Sequence, residues 1–175
     1  MSAKKIVFCA MGVVFMIVGS YLSITLPFTR VPFTLQVFFL FLISLLFNSQ
    51  ESFFIILSYL FLGAIGFPVF AGGRGGIGVL FGPTGGYLWG FLVSSPIISF
   101  ISKKEREIIK FLGVLTGLII IYLLGSIWLM NFMNIDYFKA LTLGVFPFIP
   151  FDLLKGILAL FVSRYLNKFK REGLL

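Results

Sequence analysis

The segment Phe148-Ile-Pro-Phe-Asp-Leu-Leu-Lys-Gly-Ile-Leu-Ala159 places two ionisable side chains, Asp152 and Lys155, in an otherwise apolar run. Ionised groups at the centre of a membrane helix cost about 2.5–3.5 kcal/mol each, so they are rarely found there without a role. Residues three apart share one helical face, where opposite charges partly neutralise each other. The pair offers one acceptor and one donor group, which indicates a binding site. The alternative is an ion pair that only fixes this helix to a neighbour.

The composition around this segment is that of an integral membrane protein. Hydrophobic residues make up 59% and charged residues 11% of the 175 residues, whereas soluble domains carry about 25% charged residues. We expect one transmembrane domain over residues 1–175, surrounded by membrane lipid. The net charge of +8 does not indicate a nucleic-acid partner, because the basic residues flank apolar runs, where they act as orientation signals.

The chain has little machinery for catalysis. It has no histidine and only six acidic residues, and its single cysteine, Cys9, lies in an apolar run. An intramembrane enzyme would need groups for acid–base or covalent chemistry that are scarce here. We therefore expect no catalytic residues, no metal site and no internal disulfide.

Long apolar runs predict an all-α protein with six transmembrane helices. The runs are Ile6–Leu22, Thr34–Phe47, Phe53–Phe67, Gly85–Ile101, Ile108–Met130 and Gly144–Tyr165. The second and third are short, because 14 residues of helix rise about 21 Å and a bilayer core is about 30 Å thick. Flanking apolar residues extend such short runs, or one of them is re-entrant. Asn48-Ser-Gln-Glu51 between the second and third runs predicts a tight polar turn.

Basic residues predict the orientation of these helices. They cluster at the N-terminus, after the fourth run and at the C-terminus, as Lys4, Lys5, Lys103, Lys104, Arg106, Lys110, Arg164, Lys168, Lys170 and Arg171. All three clusters share one side only if an even number of spans separates them, so six spans place both termini in the cytoplasm. We expect a multi-pass protein of the cytoplasmic (inner) membrane. A cleaved signal peptide is the alternative for the first run, but no small-residue cleavage pattern follows it.

This orientation places Asp152 and Lys155 in the outer half of the sixth span, after Pro147 and Pro150, because proline suits a helix start. The third connection also faces outward and carries eight glycines between Gly72 and Gly86. Non-helical backbone near membrane depth must be buried in protein or line a cavity.

Arg74, in the middle of this glycine-rich connection, offers a planar cation for a carboxylate, with water or a lipid phosphate as the alternative partners. A nucleotide P-loop needs Lys and Ser/Thr after its last glycine. Here Tyr87-Leu88 follow, so ATP hydrolysis by this chain is not expected.

The first connection, Leu26-Pro-Phe-Thr-Arg-Val-Pro-Phe-Thr-Leu-Gln36, brings two prolines and the polar side chains of Thr34 and Gln36 to the start of the second span. Two interpretations remain open. The segment is a rigid interfacial loop with aromatic belt residues, or it is a lid over a binding site.

These outer segments together resemble the BioY family, the biotin-specific substrate-binding (S) components of energy-coupling factor (ECF) transporters. The similarity rests on Leu26–Gln36, on Gly63-Ala-Ile-Gly-Phe-Pro-Val-Phe70, on Gly82-Pro-Thr-Gly-Gly-Tyr-Leu88 and on Pro150-Phe-Asp-Leu-Leu-Lys155. It implies a six-helix S-component fold that captures biotin from outside with high affinity. It also implies partners, namely a transmembrane coupling subunit and two ATPase subunits, which alone use ATP, so that no cofactor is expected here.

The substrate-binding residues expected from the charged pair and the resemblance are Asp152, Lys155, Arg74, Gly73, Gln36, Thr34 and Tyr87. Three alternatives stay open: an S component for another vitamin, a solitary vitamin carrier, and an ion-coupled carrier with Asp152 as relay. The solitary form is considered because the first run has only Ala10 and Gly12 amid bulky residues, where such components carry an alanine-rich coupling face.

Overall fold

The structure, a computed structural model, describes residues 3–104 and 106–171, with side chains as far as Lys168. It consists of helices and one short two-stranded ladder. In chain order these are α1 (Ala3–Tyr21), β1 (Ser23–Ile24), β2 (Phe33–Thr34), α2 (Gln36–Leu46), α3 (Ser49–Ala64), α4 (Ile77–Leu80), α5 (Gly85–Ile101), α6 (Glu107–Met133), α7 (Tyr137–Gly144) and α8 (Ile149–Arg171). Each of the six apolar runs contains a helix, as predicted.

Helix length separates these runs into two groups. Among the described residues, α1 with 19 residues and α6 with 27 are long and apolar enough to cross a membrane, and α7 with α8 forms a third candidate bent by 52°. The apolar helices α2, α3 and α5 are shorter. Six crossings, the positions of the termini and the single domain therefore stay predictions.

The sixth run differs from its predicted bounds. The sequence predicts one helix from Gly144 to Tyr165, preceded by a non-helical connection over 131–143. This was wrong, because a separate helix, α7, lies in the second half of that connection and ends at Gly144. Pro147 lies in the break that follows. Proline disfavours helical backbone in the residue before it, so the chain turns there, and α8 tolerates Pro150 within its first turn.

Small residues let the central helices approach closely. α5 packs most extensively against α6, and α2 against α8. A Cβ added at Gly90 of α5 would lie 3.0 Å from Ile121 Cα on α6. Such close backbone contact is typical of membrane helix pairs.

The predicted polar turn between α2 and α3 is confirmed as a helix cap. Asn48 Oδ1 accepts a hydrogen bond from the Glu51 backbone N–H at 3.0 Å, and Glu51 Oε2 accepts one from the Asn48 N–H at 3.2 Å. This reciprocal arrangement is a capping box, which satisfies two otherwise free donors at the start of α3.

The glycine-rich connection is compact and hydrogen-bonded to its own backbone. Phe70 and Arg74 exchange both backbone hydrogen bonds, at 2.9 and 3.2 Å, across a turn in which Gly72 and Gly73 have φ of +73° and +68°. Side chains with a Cβ rarely adopt such angles. The glycines therefore allow the tight turn that carries Arg74.

We expect Gly63→Ala to destabilise the protein by about 1–3 kcal/mol, the usual cost of overpacking. A Cβ at Gly63 would overlap the ring of Phe70, which is buried and packs edge-on against Tyr59 with ring centroids 5.5 Å apart. Thermal unfolding in detergent measures the effect. Gly78→Ala is the matched control, because nothing lies within 4 Å of a Cβ there. Equal unfolding temperatures for the two variants would contradict the packing argument.

Candidate functional site

A cavity of about 60 Å³ lies where the first connection and the glycine-rich connection meet α5, α6 and α8. Its polar wall is formed by Thr34, Gln36, Arg74, Thr84, Tyr87, Tyr122 and Asp152, and the remainder is mainly apolar, including Val37, Phe70, Phe91 and Phe148. A mostly apolar pocket with a few convergent polar groups is the usual form of a small-molecule site.

The ion pair at the start of α8 is buried and geometrically close. Asp152 and Lys155 are 4% and 6% exposed, and Lys155 Nζ lies 2.7 Å from Asp152 Oδ1. The same ammonium donates to the Thr34 backbone carbonyl at 2.7 Å and lies 4.0 Å from the centre of the Phe33 ring. Lys155 therefore joins α8 to the β2 segment.

Tyr122 of α6 completes the surroundings of the carboxylate. Its hydroxyl donates to Asp152 Oδ2 at 2.8 Å. Each carboxylate oxygen has two lone pairs, so Asp152 can still accept hydrogen bonds from a molecule in the cavity. Sequence reasoning missed Tyr122. The available signal was a phenol inside a long apolar run, where a buried hydroxyl needs a partner.

Gln36 is held by a second hydrogen-bond chain. Its Nε2 donates to Tyr59 Oη at 2.7 Å, and the Tyr59 hydroxyl donates to the Val69 carbonyl at 3.1 Å. The Thr34 hydroxyl accepts from the Gln36 backbone N–H at 3.3 Å. These contacts orient the Gln36 amide at the cavity wall and tie α2, α3 and the glycine-rich connection together.

Tyr87 contributes a ring to the cavity, while its hydroxyl is engaged elsewhere. The hydroxyl donates to the Gly144 carbonyl at 2.9 Å, which joins the start of α5 to the end of α7. A Cβ at Gly144 or at Gly125 would overlap the Tyr87 side chain. Two glycines thus make the space in which this wall residue is fixed.

Arg74 lies at the exposed rim of the cavity. Its Nε donates to the Ala71 carbonyl at 3.0 Å, which fixes the side chain close to its own turn. The remaining guanidinium donors make no hydrogen bond within the described part of the chain, so they are available to an anion.

The structure brings five of the seven predicted site residues to one cavity: Thr34, Gln36, Arg74, Tyr87 and Asp152. The other two lie outside the wall. Lys155 lies behind Asp152, and Gly73 is in the turn beside Tyr21, whose ring would be 3.9 Å from an added Cβ. Lys155 therefore orients and neutralises Asp152 in this arrangement.

We expect Tyr122→Phe to lower the free energy of unfolding by about 1.5–3 kcal/mol, the usual value of a hydrogen bond to a charged group. The ring keeps its packing, so the effect isolates the contact with Asp152. Thermal unfolding in detergent is the measurement, and Tyr137→Phe is the control, because its exposed hydroxyl makes only a 3.4 Å contact with Ser126. A Tyr122→Phe protein as stable as the control would show that this contact is energetically neutral.

The chain is similar to known proteins over nearly its whole length. A family model described as the BioY family matches residues 1–172. The biotin transporter BioY of Thermotoga maritima is 41% identical over 157 residues, covering 89% of this chain and 91% of that protein. The probable biotin transporter BioY of Pyrococcus horikoshii is 42% identical over 167 residues, covering 95% of this chain and 98% of that protein.

The fold is similar to a solved structure as well. A crystal structure of the S component for biotin from an ECF-type ABC transporter matches with a TM-score of 0.89 and 29% sequence identity. The match covers 96% of this chain and 95% of the other. The sequence and the backbone thus lead to the same group of membrane transport proteins.

Proposed function

The chain belongs to the BioY family, and we propose that it is the S component that captures biotin for an ECF-type transporter. As a member of this family it is a transport protein of the membrane and not an enzyme. The single observation that carries the choice of ligand chemistry is Asp152, a carboxylate 4% exposed that faces a cavity with Gln36 and Thr34.

Biotin offers groups that match this wall. Its ureido ring has two N–H donors and one carbonyl acceptor, and the fused sulfur ring is apolar. Asp152 is suited to accept from the ureido N–H groups, and the hydroxyl of Thr34 is suited to donate to the carbonyl. Charge-assisted hydrogen bonds of this kind contribute about 1.5–3 kcal/mol each. Phe70, Phe91 and the Tyr87 ring supply an apolar surface for the sulfur ring.

The valerate carboxylate of biotin needs a cation, and Arg74 supplies one at the rim. An arginine binds a carboxylate through two parallel N–H groups. With the Nε of Arg74 engaged by Ala71, its terminal nitrogens remain for the ligand. This arrangement leaves Lys155 to its contacts with Asp152 and Thr34 rather than to the carboxylate.

The transport cycle extends this site to a complex. We place six spans in the cytoplasmic membrane with both termini inside, so that the cavity opens outward. A transmembrane coupling subunit and two ATPases would supply the energy, and the chain itself would need no cofactor. Positive residues at the end of the molecule opposite to Asp152, including Lys103 and Arg164, support this orientation.

Binding of labelled biotin to the purified protein in detergent tests the function. Excess unlabelled biotin should abolish the signal, whereas thiamine and riboflavin, which lack the ureido ring and the carboxylate chain, should compete weakly or not at all. Binding of one of the other vitamins in place of biotin would assign the chain to a different substrate. No saturable binding of any of them would refute the proposal.

We expect Arg74→Gln to weaken binding of biotin about tenfold, equivalent to about 1.4 kcal/mol, because the ligand carboxylate loses its cation. Biotin methyl ester has no such charge, so the variant and the wild type should bind the ester equally. Arg30→Gln removes an exposed cation outside the cavity and serves as the matched control. An equal loss of affinity for biotin and for the ester would place Arg74 in a purely structural role.

A further inference from the structure

A second cavity lies at the opposite end of the helices from Asp152. This cleft, of about 890 Å³, is formed by the end of α5, the first turns of α6 and the last turns of α8. Among the described residues, four cationic side chains line it, namely Lys103, Lys110, Arg164 and Lys168, together with the carboxylate of Glu107. The biotin site does not use any of these residues.

The start of α6 adds to the positive potential of the cleft. Within the part of the chain that the structure describes, no side chain caps the first N–H groups of this 27-residue helix, and the start of a helix carries about half a positive charge. Glu107 accepts from Lys110 at 2.9 Å, so these two side chains form a neutral pair. The floor includes Ser102, whose buried hydroxyl has no hydrogen-bond partner among the described residues. The cleft is therefore suited to an anion with several acceptor oxygens.

The helix surfaces that lead away from the cations are apolar and exposed. Phe161 of α8 lines the cleft itself and is 66% exposed, followed by Leu158 one turn away. Leu154, on the same face of α8 a further turn along, is 54% exposed. Cations above a strip of apolar side chains match the layout of a phospholipid, with its phosphate above its acyl chains. A soluble anion would leave this strip uncovered.

We propose that the cleft binds the headgroup phosphate of an anionic phospholipid, whose acyl chains lie along the exposed face of α8. The charged side chains hold the phosphate and the exposed apolar residues hold the chains. Because α5, α6 and α8 also build the biotin cavity, a lipid seated here joins the far ends of the helices that form that cavity. The assignment does not depend on which ligand the cavity takes.

The test is native mass spectrometry of the full chain in detergent, titrated with phosphatidylglycerol or with phosphatidylcholine of the same acyl chains. The double variant Lys103→Gln/Arg164→Gln removes two cations from the cleft. The matched control, Arg30→Gln/Lys139→Gln, removes two exposed cations near the other end of the helices, on the side of the biotin cavity. We expect wild type and control to prefer phosphatidylglycerol at least tenfold, and the cleft variant to lose most of this preference.

Several results would overturn the proposal. Equal loss in the cleft variant and the control would show diffuse electrostatic attraction without a site. No preference for phosphatidylglycerol in wild type would exclude an anionic headgroup. Displacement of phosphatidylglycerol by inorganic phosphate at equal concentration would show a phosphate site that ignores the acyl chains. Binding of poly-glutamate to the cleft without competition from phosphatidylglycerol would assign it to an acidic protein segment.

Biotin titration of the same samples separates the two proposals. A cleft variant that binds biotin like wild type is folded, so its loss of lipid preference can be attributed to the cleft. If that variant fails to fold, it is replaced by the charge-retaining variant Lys103→Arg/Arg164→Lys. We expect this variant to keep at least half of the preference for phosphatidylglycerol. Loss of that preference would contradict the proposal. A wild-type protein that prefers phosphatidylglycerol but does not bind biotin would refute the proposed function alone.

Discussion

Asp152→Asn is expected to weaken biotin binding tenfold or more. The carboxylate accepts from Lys155 and Tyr122 at 2.7 and 2.8 Å, and its remaining lone pairs face the cavity. An asparagine amide keeps the shape but replaces one acceptor oxygen with an NH₂ donor, so fewer lone pairs are left for the N–H groups of the ligand. The charge that strengthens hydrogen bonds to the ureido group is also lost.

Titration calorimetry of the purified variant measures this loss. The matched control is Asp136→Asn, because Asp136 is exposed and caps α7 through the Lys139 N–H at 2.9 Å, a role that asparagine performs equally well. Both variants should be recovered from the membrane in similar yield. Unchanged affinity in a folded Asp152→Asn protein would remove this side chain from the binding site.

Lys155→Met is expected to cost about 3–5 kcal/mol of stability, because it leaves a buried carboxylate without its cation. Methionine fills most of the volume of the lysine stem, so the loss reports on charge rather than on packing. Adding Asp152→Asn to it should recover most of the stability, because the double variant has no unpaired charge. Thermal unfolding in detergent measures the stability changes of Lys155→Met, of Asp152→Asn and of the double variant, which together form a double-mutant cycle.

Binding and stability should therefore separate in these variants. The double variant should be nearly as stable as wild type and yet fail to bind biotin, since the acceptor at the cavity wall is gone. If Lys155→Met were as stable as wild type, the pair would be solvated or the carboxylate protonated. If the double variant bound biotin normally, neither side chain would belong to the site.

The class of protein and the position of its candidate site follow from local sequence features. Apolar runs predict helices in membrane proteins because the lipid core leaves few alternatives for the backbone. The same logic makes a charged pair in such a run conspicuous, and both Asp152 and Lys155 are buried as that reading requires. The polar turn at Asn48 was predictable because a cap depends on residues only three positions apart.

Contacts between distant segments could not be predicted in the same way. Lys155 donates to a backbone carbonyl 121 positions earlier, at Thr34, and any residue type offers such an acceptor. The contact of Tyr122 with Asp152 depends on how α6 rotates against α8, which composition does not determine. The break after Gly144 was missed because hydropathy continues through it, although Pro147 marks the site of the turn.

The pairing of Asp152 with Lys155 has an electrical consequence. A lone charge carried across a membrane exchanges about 2.3 kcal/mol with a potential difference of 100 mV. Two opposite charges 2.7 Å apart sum to zero, so displacing them together through that field does no net work. A biotin anion seated against Arg74 is balanced in the same manner. If the occupied pocket moves across the membrane during transport, it would do so without drawing on, or opposing, the voltage across that membrane.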